Sequence, residues 1–413
     1  MPTSNHPTSF PKTDIKVLLL ENVHQSGIDI FKGEGFQVET VSRALKEDEL
    51  AERLADGVHL LGIRSKTKVT AKALEAGKRL LSVGAFCIGT NQIDLEAAKR
   101  FGVPCFNAPF SNTRSVAELV ICEIIMLSRH LGDRSREVHE GKWRKVAKGS
   151  HEVRGKTLGI IGYGHIGSQV SVLAESMGLR VISYDVRATL PLGNSRPVAT
   201  LEELLEQSDF VTLHVPETPS TKGMIGVKEL ARMKPEASLL NLSRGTVVDL
   251  EALAEALKAG KIAGAALDVY PDEPEGNEDV FQSVVCGLPN VVLTPHIGGS
   301  TAEAQEAIGR EVANTLVRYT NNGATAGSVN FPFVETPKIP GAHRVLNVHR
   351  NVPGVLRDIN KIVSDRNANV LGQVLATDPD VGYLVMDLDK ALAEEVRAAI
   401  KALPTSIKTR ILY

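Results

Sequence analysis

The sequence predicts an α/β protein: two doubly wound parallel sheets followed by a small βαββαβ domain of ferredoxin-like order. Three observations carry this. Short Leu-rich and β-branched runs alternate with helical segments through residues 15–130 and again from residue 156. A glycine-rich turn, Gly162-Tyr163-Gly164-His165-Ile166-Gly167, falls directly between a strand-like run and a helix-like one. Residues 344–412 then read strand, helix, strand, strand, helix, strand.

The elements follow in order. Residues 15–20, 59–63 and 80–83 have the composition of strands, with helical segments at 25–32 and 70–78. Residues 116–130 form a long, mostly apolar helix interrupted by Glu118 and Glu123, and such a helix is expected to be buried or at a subunit contact. Residues 134–149 are charged around the single tryptophan, Trp143, and read as an exposed arm. Strands are expected at 158–161, 180–184, 210–214, 238–242, 263–269 and 291–294, the strand count of a dinucleotide-binding sheet. Residues 321–341, rich in Gly, Asn, Pro and Thr, include a linker. In the last domain, strands at 344–348, 369–376, 382–388 and 406–412 flank helices at 353–365 and 391–403. The expected domains are 1–110 with 300–332, 111–299, and 340–413.

With 413 residues, a formal charge of −2 and no long run of one sign, the chain has room for two or three domains and lacks the concentrated basic face that nucleic acid demands. Cys87, Cys105, Cys122 and Cys286 form no CxxC pair and no zinc spacing, so no metal is expected and free thiols of a reducing compartment are. The N-terminal stretch 1–11 is polar and lacks signal-peptide character, and no apolar run is long enough to span a bilayer. A cytoplasmic protein without a membrane partner is the expectation.

The glycine-rich turn is the strongest single signal. Gly162 permits the tight turn, Gly164 a close approach of backbone to a pyrophosphate, and Gly167 close helix–sheet packing. His165 and Ile166 open the helix, whose N-terminal N–H groups suit phosphates. The next strand ends at Asp185, the position of an acid for the ribose hydroxyls. That acid would repel a 2′-phosphate, which favours NAD over NADP, although Arg187 lies nearby. The first sheet therefore has a Rossmann-like companion.

Three further segments come soon after strands of this second region. His296, in Pro295-His296-Ile297-Gly298-Gly299, is a candidate acid/base. Glu273, in Asp272-Glu273-Pro274, could fix its tautomer and raise its pKa. Arg244, in Ser243-Arg244-Gly245, could grip a carboxylate with two parallel hydrogen bonds. Asp268, at a strand end, could face a nicotinamide amide. In the first region, Arg64-Ser65-Lys66-Thr67 gathers a cation, hydroxyls and N–H groups at one turn, which suits an anion such as phosphate.

In this order after the glycine-rich turn, these segments resemble the D-2-hydroxyacid dehydrogenase family. The resemblance implies an NAD-dependent oxidoreductase in which Arg244 orients the substrate, Glu273 pairs with His296, and His296 transfers the proton. It implies a cofactor site of Gly162, Gly164, His165, Ile166, Gly167, Asp185, Leu242, Ser243, Arg244, Asp268, His296, Gly298 and Gly299. It also implies a discontinuous first domain, regained through the helix near 302–319, and a substrate cleft that can close.

The segment 106–118, the Trp143 arm and the small C-terminal domain resemble the branch of the family that oxidises 3-phosphoglycerate to 3-phosphohydroxypyruvate, the first step of L-serine biosynthesis. By that resemblance Arg64, Ser65, Asn112 and Gln305 contact substrate, and Lys145 reaches its phosphate from a neighbouring subunit. The C-terminal domain looks like an ACT domain. Its segment Asn351-Val352-Pro353-Gly354-Val355 opens a helix whose N–H groups suit an amino-acid carboxylate, and His349, Asn351 and Asn369 look like L-serine-contacting positions. Allosteric feedback by serine and a homotetramer, joined through paired ACT domains and the 116–130 region, are implied. Two alternatives share these motifs: a sister enzyme acting on another hydroxy acid, and a non-enzymatic NAD-sensing binding protein of the same fold.

Overall fold

The computed structural model describes residues 11–274 and 279–413; the N-terminal stretch discussed above lies, up to residue 10, outside the described residues. By internal contacts the chain divides into two units: the described part of Met1–Ser111 together with Gln305–Tyr413, and Asn112–Ala304.

The first unit opens with β1 (Lys16–Leu20), β2 (Gln37–Val41), β3 (Leu60–Ile63), β4 (Ser82–Ala85) and β5 (Cys105–Phe106). They form one all-parallel sheet in the order β2-β1-β3-β4-β5. β1, β3 and β4 are buried along nearly their whole length, which is why each reads as an unbroken apolar run rather than an alternating one. β2 is an edge strand with no fully buried residue, and β5 has only two residues. Neither leaves a hydrophobic signature, and neither is expected from the sequence.

The second unit carries β6 (Thr157–Ile161), β7 (Arg180–Tyr184), β8 (Arg196–Pro197), β9 (Phe210–Leu213), β10 (Ser238–Asn241), β11 (Gly264–Leu267) and β12 (Val291–Leu293). The sheet is parallel throughout, in the order β12-β11-β10-β9-β6-β7-β8. The helix Thr113–Arg129 packs on it through Val116, Val120, Ile124 and Leu127, one stripe at helical spacing. The expected arm begins later than the sequence suggests. His130 takes a left-handed conformation (φ 50°) and a second helix, Leu131–His139, follows before the exposed irregular segment around Trp143. A left-handed residue usually shows itself as glycine, and here no glycine marks the break.

β13 (His343–Arg350), β14 (Val370–Thr377), β15 (Val381–Leu388) and β16 (Ser406–Leu412) close the chain as an antiparallel sheet, β14-β15-β13-β16, with helices Val355–Asp365 and Ala393–Lys401. This sheet belongs to the same unit as the first one. Val345, Leu384 and Met386 face the two helices, whereas Leu346, Val348, Tyr383 and Val385 join the core that holds Val17, Phe106 and the helix Ala302–Asn322. The stretch before β13 is partly built into this unit. Thr325, Asn330, Phe331 and Val334 are buried, and the Asn330 side chain accepts from Cys105 N and donates to the Val103 carbonyl. Among the described residues no helix is long and apolar enough to cross a membrane, and no group of His, Cys, Asp or Glu could hold a metal ion.

Candidate active site

Three neighbouring parallel strands, β10, β11 and β12, end side by side, so the loops that follow them share one edge. After β12, His296 sits at φ 55°, a conformation that side-chain-bearing residues seldom adopt and that tends to mark functional turns. What holds it there is Asp268, which follows β11 and is almost fully buried. Its carboxylate accepts from Thr294 Oγ1 (2.6 Å), Ile297 N (2.8 Å) and Gly298 N (2.8 Å), bracketing the histidine on both sides.

His296 Nδ1 lies 3.0 and 2.8 Å from the two oxygens of Glu273. Glu273 also accepts from Tyr270 N at 3.2 Å, and Tyr270 Oη donates to the carbonyls of Leu267 and Thr294. The electrostatics follow. The hydrogen bond that His296 donates to Glu273 raises the His296 pKa above its ordinary 6.5 against the pull of burial, with the charges of Glu273 and Asp268 adding to it and Arg244 opposing. Burial pushes the Glu273 carboxyl up, but the His296 hydrogen bond and charge, the Tyr270 N–H and the Arg244 charge together hold it below its ordinary 4.5. Arg244 thus acts on both partners, and the three side chains form one electrostatic cluster.

Arg244 follows β10. Asn241, fully buried, braces its turn by accepting from Ser243 N (3.1 Å) and Ser243 Oγ (2.8 Å) while donating to the Arg244 carbonyl (2.9 Å). Gly245 is needed because a side chain there would strike the Tyr270 backbone. Leu242 is buried in the sheet core and Ser243 beside it. Gly299 packs against the Asn112 amide, so Asn112 stands next to the His296 turn.

The glycine-rich turn follows β6. Gly162 has φ 91°, and a side chain there would strike the His214 carbonyl on the neighbouring strand end. Beyond Gly164 the space is open, so nothing keeps a ligand from its backbone. Gly164 caps the helix His165–Ser176, whose first-turn N–H groups point the same way, and Gly167 packs against the Gly162 carbonyl. Asp185 accepts from Tyr163 N (2.8 Å) and Arg187 N (2.9 Å), which ties the acid to the turn and leaves lone pairs for hydroxyls. These residues fit an NAD: open space at a helix N-terminus and a carboxylate one strand away.

In the first unit, Arg64 follows β3 and Ser65 is exposed beside it. One part of the sequence reading changes here. The backbone N–H groups of Lys66 and Thr67 do not await an anion; Glu21 already takes them, at 2.9 and 2.8 Å. Glu21 follows β1, has φ 63°, and its carbonyl accepts from Arg64 Nη1 at 3.5 Å. Gln92 Nε2 holds the Arg64 carbonyl at 2.7 Å. Neither residue was legible, since Glu21 meets its partners across 45 positions of chain. Gln305 is half-buried on the helix Ala302–Asn322, and Lys145 is exposed on the Trp143 arm.

In the C-terminal sheet, Asn351 donates to the Asp378 carbonyl (2.6 Å) and is exposed, as is Asn369. His349 is different: it is 3% exposed, with Nδ1 3.0 Å from Asn347 Oδ1. Solvent therefore reaches two of the three expected effector residues and barely reaches the third.

Fold and site together define an NAD-dependent oxidoreductase with a small ACT module attached. Residues 121–298 match the family described as D-isomer specific 2-hydroxyacid dehydrogenase, NAD binding domain, and residues 346–408 match the AHAS small subunit-like ACT domain. Similar relatives include a D-3-phosphoglycerate dehydrogenase of Dictyostelium discoideum, 57% identical over 98% of this chain and 99% of the relative, and one of Escherichia coli strain K12, 50% identical over the same shares. Among solved structures, the TT0316 protein of Thermus thermophilus superposes with a TM-score of 0.70 at 30% identity, covering 76% of this chain and all of that one. The D-isomer specific 2-hydroxyacid dehydrogenase of Lactobacillus delbrueckii ssp. bulgaricus, in an NAD-complexed form, gives 0.66 at 27% over the same shares. The chain belongs to the D-3-phosphoglycerate dehydrogenases of the D-2-hydroxyacid dehydrogenase family.

Proposed function

We propose that this chain oxidises D-3-phosphoglycerate to 3-phosphohydroxypyruvate, with His296 as the proton acceptor, Glu273 as its partner and Arg244 as the anchor of the substrate carboxylate. Bound NAD supplies the hydride acceptor. Neutral His296 takes the hydroxyl proton at Nε2 as the hydride leaves the substrate's 2-carbon, and the Glu273 carboxylate stabilises the imidazolium that forms. Arg244 fixes the carboxylate and so orients the reacting carbon. Arg64 and Ser65 take the phosphate in the subunit's own site, Asn112 and Gln305 bind the substrate, and Lys145 reaches the phosphate from a neighbouring subunit.

The single observation that carries this reading is the His296–Glu273 pair at 2.8 Å, on a left-handed turn held by Asp268. Leu242, Ser243, Asp268, Gly298 and Gly299 are proposed to complete the cofactor site. L-serine is proposed to inhibit by binding at Asn351, Asn369 and His349, with two ACT domains paired along β14, an edge strand with exposed Val370, Leu371 and Val374. The assembly proposed is a homotetramer, acting in the cytoplasm. The test is NADH formation with D-3-phosphoglycerate and with unphosphorylated D-glycerate, each with and without serine. The expected result is a kcat/KM higher by roughly 100-fold for the phosphorylated acid, and inhibition by serine. Equal values for the two acids would reject the phosphate site, and no turnover by folded protein would reject the enzyme.

A further inference from the structure

Among the described residues, Glu123 is the one carboxylate that the proposed chemistry leaves unused and that the fold buries completely. It lies on the helix Thr113–Arg129, on the same stripe as Val116, Val120 and Leu127. The helix's first turns touch the active-site loop: a side chain at Gly298 would sit 3.0 Å from Asp268 Oδ2 and 3.4 Å from Val116, and Asn112 abuts Gly299. Neither oxygen of Glu123 has a hydrogen-bond partner, although the residue is 0% exposed. An ionised carboxylate in such a place would lack both water and a counter-charge, so the group is held as the neutral acid.

We infer that Glu123 is a positioning residue for the reaction, acting through Asp268: as a neutral acid it lets Asp268 alone organise the turn that presents His296, and its ionisation undoes that turn. Burial, with the charge of Asp268 added, pushes Glu123 up to about 8. A second negative charge acting on Asp268 would repel its carboxylate and loosen its hold on the N–H groups of Ile297 and Gly298 and the Thr294 hydroxyl. On the strand-end loops Asp268 and Tyr270 interact with it directly, while Cys286 acts on Tyr270, and His296, with Glu273 and Arg244 beside it, feels the charge of Asp268. The packed helix His165–Ser176 carries two titratable groups, His165, which is exposed, and Glu175, which accepts from Asn194 N. On its own helix Arg114 and Glu118 pair with each other, with Cys122 exposed and Arg129 in the last turn. None of these is a cation in hydrogen-bond contact with Glu123.

The inference rests on the assignment of His296, and the experiment separates the two. In wild-type enzyme, kcat for hydroxy-acid oxidation rises as His296 loses its proton and then falls, by about tenfold one unit above the Glu123 pKa, as Glu123 ionises. In Glu123→Gln the rise remains and the fall disappears. Unfolding measured against pH gives a readout free of turnover. A buried acid with a raised pKa stabilises the fold fully below its ordinary 4.5 and loses that contribution as pH climbs through about 8, and Glu123→Gln flattens this decline. Glu123→Met serves if the amide variant does not fold, with the same expectation. An unchanged alkaline fall together with an unchanged stability profile overturns the role of Glu123. Loss of the rise only on replacing His296 keeps the parent assignment intact; full turnover without His296 removes the basis for both.

Discussion

Two acid–base pairs in this molecule are built for opposite ends. His296 and Glu273 are close, at 2.8 Å, yet their side chains remain 48% and 35% exposed. Arg344 and Asp387 pair at 2.7 Å with side chains 1% and 6% exposed. The guanidinium of Arg344 meets both Asp387 oxygens and also donates to the carbonyls of Asn322, Thr336 and Pro337, so it fastens the segment before β13 to the sheet that follows. The first pair has one partner that can lose its proton near neutral pH, a ring nitrogen left over, and solvent on one side. The second has a permanent charge, no spare donor direction and no solvent. The lesson is that proximity of opposite charges says little about role; exposure and the ionisation range of the cation decide whether a pair moves protons or holds structure.

Breaking each pair tests that contrast. The largest effect is expected at His296→Ala, which should lower kcat by roughly 10²–10⁴-fold while NADH still binds, followed by cofactor fluorescence; near-normal turnover would remove His296 from the chemistry. Asp387→Asn should instead cost about 3–5 kcal/mol of unfolding free energy, because it leaves a buried guanidinium uncompensated. A denaturant titration checks this, and a change below about 1 kcal/mol would mean that the carbonyls alone satisfy Arg344. A smaller effect is expected at Glu21→Ala. Two N–H groups lose their acceptor, the Arg64 turn loosens, and KM for the phosphorylated substrate should rise about tenfold with kcat little altered. An unchanged KM would show that the turn holds without Glu21.

The sequence was most legible where one physical signal acts alone. β7 is found at 180–184, as expected, because it is a short β-branched run bounded by Gly178 and Asp185. The Arg244, Glu273 and His296 turns were legible because they follow strands that a parallel sheet must align. Edge and two-residue strands such as β2 and β8 bury too little to leave a pattern. The left-handed break at His130 carries no glycine. The roles of Glu21 and Asp268 as braces depend on contacts 45 and 30 residues away, which spacing cannot reveal. Glu123 looked only like an interruption in an apolar helix; its burial is a property of the packed fold.

The most direct test of the proton-transfer pair is the pH dependence of kcat/KM for hydroxy-acid oxidation in wild type and Glu273→Gln. Glu273 raises the His296 pKa, and oxidation needs the neutral imidazole, so the wild-type rate should climb through an inflection above the ordinary 6.5. Removing the carboxylate's charge should shift that inflection to lower pH and reduce the plateau by roughly 10²-fold or more. An inflection that stays in place in Glu273→Gln would contradict the pairing of Glu273 with the group that titrates.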